Sequence, residues 1–202
     1  MTLFIFLSLI ALGIGSGFLA GLLGIGGGMI ITPFLSVLLT MQGVPAEYAM
    51  HAAIATSLSI ILFTSMSSAR AHNRNHFVLW NVFWGIAPGI LVGAGGGFIS
   101  VPFMVRSNVE MHHAVGTSAA LGFPIALAGT IGYIYAGWNL TGMPAWTAGY
   151  IHLPSLASVA CATILTAPLG AAAAKRLNTK PLKKLFACLL MVLVFWMGSK
   201  IF

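Results

Sequence analysis

The chain has 202 residues, 59% of them hydrophobic and only 5% charged, with a mean hydropathy of +1.01. A water-soluble domain draws about a quarter of its residues from Asp, Glu, Lys and Arg; nine basic and two acidic side chains cannot cover a globule of this size, so the composition excludes a soluble domain and predicts an integral membrane protein. The net charge of +7 lies between apolar spans rather than in one basic patch, which reads as topogenic charge at a membrane surface, with no nucleic-acid partner.

The first apolar stretch, residues 3–24, has the roughly 20 residues a helix needs to cross hydrocarbon. It lacks the basic head and small-residue cleavage site of a leader and is read as a span. Gly13, Gly17 and Gly21 along it are read as close-packing positions. The span ends in "GIGGGMIITP", residues 24–33, where Gly26, Gly27, Gly28 and Pro33 interrupt an otherwise apolar run without a single charge. Residues 27–40 are then too short to cross alone. Spans follow at about 49–69 and 77–94, a second short piece at 97–105, and further spans at 114–137, 149–174 and 182–202. All are predicted helical, since nothing alternates with the period of a barrel strand. Cys161 and Cys188 fall inside apolar spans without disulfide or metal spacing and are read as buried small residues.

The chain contains itself twice. "GGGMIITPF" (26–34) answers to "GGGFISVPF" (95–103), and "HAAIATS" (51–57) answers to "HHAVGTS" (112–118), in the same order. This predicts an internal repeat, repeat 1 over about 1–94 and repeat 2 over about 95–202. Arg70 and Arg74 lie in one interspan loop, and Lys175, Arg176, Lys180, Lys183 and Lys184 in another. The positive-inside rule makes loops 70–76 and 175–184 cytoplasmic. The uncharged loop 138–148, with two tryptophans, is read as external, although the repeat aligns it with the Arg70–Arg74 loop. The halves are therefore expected to have opposite topology, as in many secondary transporters.

Irregular backbone at membrane depth is tolerated where it lines a cavity. Glycine turns the chain without a Cβ clash, and the short helix after each triplet would point its partly positive N-terminus inward. The candidate anion-binding residues are thus Gly26, Gly27, Gly28 and Pro33 with Gly95, Gly96, Gly97 and Pro102. Thr56, Ser57, Thr117 and Ser118, expected to begin helices beside these motifs, would add hydroxyl donors. Close helix packing for the glycines and helix capping for the hydroxyls are the competing structural readings. His51, with His112 or His113, is a candidate for proton or anion linkage; His72, Arg74 and His76 are read as loop residues at the inner surface, and His152 as having a local partner. Glu47 and Glu110 are the only carboxylates, so no intramembrane carboxylate relay is visible. Voltage alone would serve: expelling one negative charge from a negative interior gains about 2.3 kcal/mol per 100 mV, roughly a fifty-fold gradient. No zincin, P-loop or intramembrane aspartyl-protease pattern occurs, so neither an enzyme nor a cofactor is expected.

At these residues the sequence resembles the TauE/SafE sulfite-exporter family. The resemblance is carried by "GLLGIGGGMIITPFL" (21–35), "AAIATSL" (52–58), "RAHNRNHFVLW" (70–80), "GGGFISVPFM" (95–104), "AVGTSAA" (114–120), "GYIYAGW" (132–138), "GYIHLPSL" (149–156) and "APLGAAAAKRL" (167–177). It implies a bacterial inner-membrane protein that exports sulfite, sulfoacetate or a related sulfur-containing anion. One departure stands out: relative to the family, about two helices and a linker are expected to be absent between Ala94 and Gly95. The fold expected is an all-α polytopic bundle of two inverted repeats, with helices broken at the glycine motifs. The alternatives are a transporter of a different small anion or a non-transporting scaffold that uses glycine-rich faces to pack.

Overall fold

The computed structural model describes residues 3–24, 26–92, 97–140, 142–144 and 146–177, with 184, 187, 188 and 191 as isolated positions. In chain order the elements are α1 (Leu3–Leu23), α2 (Gly28–Thr40), α3 (Ala46–Asn73), α4 (Trp80–Val92), α5 (Gly97–Arg106), α6 (Met111–Ala136), β1 (Thr147–Ala148), β2 (Ile151–His152) and α7 (Leu153–Arg176). Among the described residues four helices, α1, α3, α6 and α7, are long and apolar enough to cross a membrane. The protein is an all-α polytopic membrane protein. The short pieces predicted at 27–40 and 97–105 are α2 and α5. The span expected at 77–94 is not among the four: the described helix there, α4, has 13 residues, too few to cross, because it starts only at Trp80. The span expected at 182–202 lies almost entirely outside the described residues.

Helices in lipid gain little from hydrophobic exclusion between them, so their contacts depend on close backbone approach. α1 and α7 run parallel in such a seam. A Cβ on Gly13 would stand 2.6 Å from Ala162 Cβ, one on Gly21 would overlap the Ala167 carbonyl, and one on Gly170 would overlap the Phe18 carbonyl. The packing role expected for Gly13, Gly17 and Gly21 is what the helices show. α3 and α6 cross antiparallel, with Gly129 against Leu58 and Gly122 against Ser65. Two apolar clusters close the ends of the bundle. Ile5, Leu9, Leu35, Leu39 and Ala53 form one, from the leading ends of α1 and α3 with α2. Leu22, Leu23, Met104, Val115 and Ala174 form the other, where α1 and α7 end, α6 begins and α5 lies. The two short helices therefore occupy opposite halves of the bundle.

Lys175 Nζ donates to Asn75 Oδ1 at 2.9 Å, so the end of α7 and the loop after α3 share one face. Arg106, which ends α5 beside the second cluster, lies at this same end, whereas Glu47 is in the first turn of α3 at the other.

Several local expectations are corrected. Residues 147–152 are not helical but an antiparallel hairpin pairing Thr147 with His152 and Ala148 with Ile151. Pro154, in the first turn of α7, fixes where that helix starts, and His152 caps it by accepting from the Ser155 N–H. His72 is not a loop residue: α3 continues to Asn73, since "SSARAHN" holds no glycine or proline to stop it. Its ring is buried with Nε2 2.8 Å from the Gly21 carbonyl. Cys161 and Cys188 are exposed rather than buried.

Candidate functional site

The first glycine motif is a left-handed turn that leads from Gly24, beside the cluster at the end of α1, back to mid-height of the bundle at Gly26–Gly28. Gly24, Gly26 and Gly27 have φ of +69°, +72° and +75°, a region that costs an L side chain about 1–2 kcal/mol per residue. Gly27 is the N-cap of α2 and offers no side chain to the helix's first N–H groups, which are left with the positive end of the helix dipole. The depth follows from its neighbours. A Cβ on Gly26 would lie 3.1 Å from Ile61 Cγ2, and one on Gly28 would overlap Ile61 Cδ1; Ile61 is halfway along α3. On the other side, Ser16 O and Ala20 Cβ would lie 3.1 and 3.3 Å from a Cβ on Gly27. Of the second motif, Gly95 and Gly96 lie outside the described residues and Gly97 opens α5. Pro33 is half-buried within α2 and Pro102 exposed within α5.

The two Thr-Ser pairs do not begin helices. α3 is capped by Pro45 and α6 by Glu110, so both pairs sit two or three turns inside, where the helix has already satisfied their backbone. Their hydroxyls serve other elements, and equivalent residues make equivalent bonds. Thr56 Oγ1 accepts the His152 N–H at 3.0 Å, one residue before α7. Thr117 Oγ1 accepts the Leu79 N–H at 2.9 Å, one residue before α4. Ser57 shares a 2.8 Å hydrogen bond with Thr32 of α2. Ser118 shares a 3.0 Å hydrogen bond with Ser100 of α5 and donates to the Gly24 carbonyl at 2.9 Å.

This arrangement separates some expected partners and joins others. Because α3 and α6 are antiparallel, Ser118 lies one turn beyond the Gly122–Ser65 crossing, about 18 Å along the axis from Ser57 at 1.5 Å per residue. The two Thr-Ser pairs are not brought together. The two glycine motifs are, through one hydroxyl: Ser118 holds the carbonyl that starts the first motif and, at the same time, a hydroxyl in the first turn of the helix after the second. Ser100 and Gly24 were not candidates. Ser100 is the hydroxyl within "GGGFISVPF", and Gly24 is the extra glycine ahead of "GGG". Those irregularities were the available signal.

The interior around these groups is polar without being charged. Ser57, Thr64, Ser65, Ser68, Ser100 and Ser118 are all buried, and among the described residues no Asp, Glu, Lys or Arg is. His51 is exposed on α3 and stacks on Tyr150 with ring centroids 5.6 Å apart. His113 meets the edge of Phe77 at 5.9 Å and lies 4.0 Å from Glu110; His112 stacks on the same Phe77 ring at 5.4 Å. Neither His51 nor His113 has a hydrogen bond to the Thr-Ser hydroxyls among the described residues. Two shallow grooves, of about 250 and 270 Å³, flank Arg70 on the outside of α3 and do not reach the hydroxyls. The centre thus offers neutral hydroxyls and the α2 N-terminus, and among the described residues no buried charged side chain.

The sequence profile described as "Sulfite exporter TauE/SafE" matches residues 9–94 and, separately, residues 89–197. The chain belongs to the TauE/SafE family. A Haemophilus influenzae relative, a "Probable membrane transporter protein", is 30% identical over 266 aligned positions that cover 99% of this chain and 100% of the relative. Since the chain has 202 residues, at least 64 of those 266 positions have nothing opposite them in it. Two Bacillus subtilis proteins, the "Probable membrane transporter protein" YunE and its namesake YdhB, are 36% and 33% identical over 93 and 94 residues, 44% and 45% of this chain and 34% of each of theirs. No solved structure matches the chain. A TauE/SafE membrane transporter is accordingly what the fold, the polar midplane and the relatives describe together.

Proposed function

We propose that this transporter exports a small sulfur-containing oxyanion, sulfite or an organosulfonate such as sulfoacetate, across the bacterial inner membrane, and that the anion passes between the two glycine motifs. The observation that carries this is the Ser118 junction, which ties Gly24 to Ser100 in a buried region without fixed charge. The anion is recognised there by the α2 N-terminus and by the residues of the second motif, Gly95, Gly96 and Gly97, while Ser118, whose hydroxyl hydrogen goes to the Gly24 carbonyl, holds the two motifs together. The placement of α2 and α5 in opposite halves, and the exchange of Thr56 and Thr117 bonds between halves, support two inverted repeats divided near residue 94. The basic end, with Arg70, Arg74, Arg106, Lys175 and Arg176, is the cytoplasmic face by the positive-inside rule. The family matches meet at 89–94, which supports placing the positions missing relative to the Haemophilus protein between Ala94 and Gly95.

The test is flux in proteoliposomes of the full chain, over a panel of sulfur oxyanions at two membrane potentials. Sulfite is expected to leave faster when its compartment is negative, with an equilibrium ratio that changes about fifty-fold per 100 mV if one net charge moves. Gly27→Leu, which forces a side chain into a left-handed position beside Ser16 and Ala20, is expected to abolish that flux while the protein still inserts. A wild type that moves no member of the panel, or a Gly27→Leu variant that transports normally, overturns the proposal.

A further inference from the structure

The glycine turn is only half of the midplane; the other half is one side chain of α3. At 100° per residue, Ser57, Ile61, Thr64, Ser65, Ser68 and His72 fall within a single arc of about 100° on that helix. Five of the six are polar and buried. Ser57 bonds to Thr32 on one side of Ile61. On the other, Thr64 bonds to Thr163 at 2.8 Å, and the Ser68 hydroxyl is buried with no hydrogen-bond partner among the described residues. Ile61 is the one apolar member. Its side chain abuts the positions of Gly26 and Gly28, and a Cβ on Gly122 of α6 would lie 3.9 Å from its Cγ2. It thus stands between the first glycine motif and the α3–α6 crossing, with hydroxyls above and below.

We propose that Ile61 is the gate of the transport path: an apolar constriction that separates the Ser57–Thr32 side from the Ser68–Ser118 side and opens when its side chain leaves the glycine notch. This rests on the reading of the glycine motifs as the anion path. Hydrophobic constrictions gate by shedding water, and a glycine notch opposite a branched side chain gives that side chain a place to close against. A polar residue at 61 keeps the path wet.

Two measurements on the full chain in membranes separate the gate from the substrate. In a background with Cys161 and Cys188 replaced by serine, Ser57→Cys is expected to react with the impermeant thiol reagent MTSES only from the Glu47 end and Ser68→Cys only from the basic end. With Ile61→Ser, or the shape-conserving Ile61→Thr, each is expected to react from both ends. Two-sided reaction with Ile61 in place, or anything less than two-sided reaction in both the Ser and Thr variants, overturns the gate. In proteoliposomes, Ile61→Thr is expected to raise sulfite flux at least fivefold and Ile61→Phe to lower it at least fivefold, whereas Leu62→Thr, on another face, leaves it unchanged. Equal fluxes in the Thr and Phe variants overturn the gate as well. Labelling as expected in a wild type that moves no sulfite refutes the substrate and upholds the gate.

Discussion

Gly116→Ala tests the contact between α6 and the segment leading into α4. A Cβ at 116 would stand 2.7 Å from the Phe77 carbonyl oxygen and 2.9 Å from Phe77 Cβ, where ordinary contact begins near 3.4 Å. The 77–79 segment must therefore retreat about 0.7 Å from α6. That same segment delivers the Leu79 N–H to Thr117 Oγ1 at 2.9 Å, so the retreat stretches the bond to about 3.6 Å and breaks it. The overpacking costs about 1–3 kcal/mol, and the lost bond between helices in a membrane adds about 0.6–1 kcal/mol. The sum is about 2–4 kcal/mol, measured by reversible unfolding in mixed micelles. Thr117→Val removes only the bond and is expected to cost about 1 kcal/mol. Because both changes act on one contact, the double variant is expected to fall short of the sum by about the value of the bond. A Gly116→Ala protein within about 0.5 kcal/mol of wild type, or strict additivity, refutes the coupling.

Gly170→Leu is expected to disrupt the α1–α7 seam by more than about 3 kcal/mol, read as loss of folded protein in the same micelles. Gly15→Leu on α1, whose Cβ position meets nothing within 4 Å, is the matched control and is expected to be silent. For topology, Ser107→Cys at the basic end is expected to label only from the cytoplasm and Asn139→Cys, after α6, only from outside, in cells whose protein lacks Cys161 and Cys188; the reverse pattern inverts the assignment.

Most of the architecture was legible because hydrophobic length is a one-dimensional property. Four long spans and the two short helices could be counted along the chain, whereas the span expected at 77–94 holds only the 13-residue α4. The close-packing glycines were legible for a similar reason: their spacing declares a face. Most of the failures are matters of partnership. That the His72 ring is buried depends on the Gly21 carbonyl lying opposite it. The Thr-Ser pairs looked like helix starts because such residues cap helices; their partners are Leu79 and His152, which no local pattern connects to them. Ser100 and Ile61 read as one residue among several in an apolar run until the helices are placed side by side. The hairpin at 147–152 was absorbed into an apolar span because four residues are too few to display a period.

The α1–α7 seam has a mechanical consequence. Where backbone lies against backbone, with Gly21 at Ala167 and Gly170 at Phe18, there is no layer of side chains to act as a bearing. A slip of one residue would drive a Cβ into a carbonyl, so these helices travel as one strut. Whatever swings during the transport cycle must swing against that strut, and the pieces short enough to do so are α2, α4 and α5.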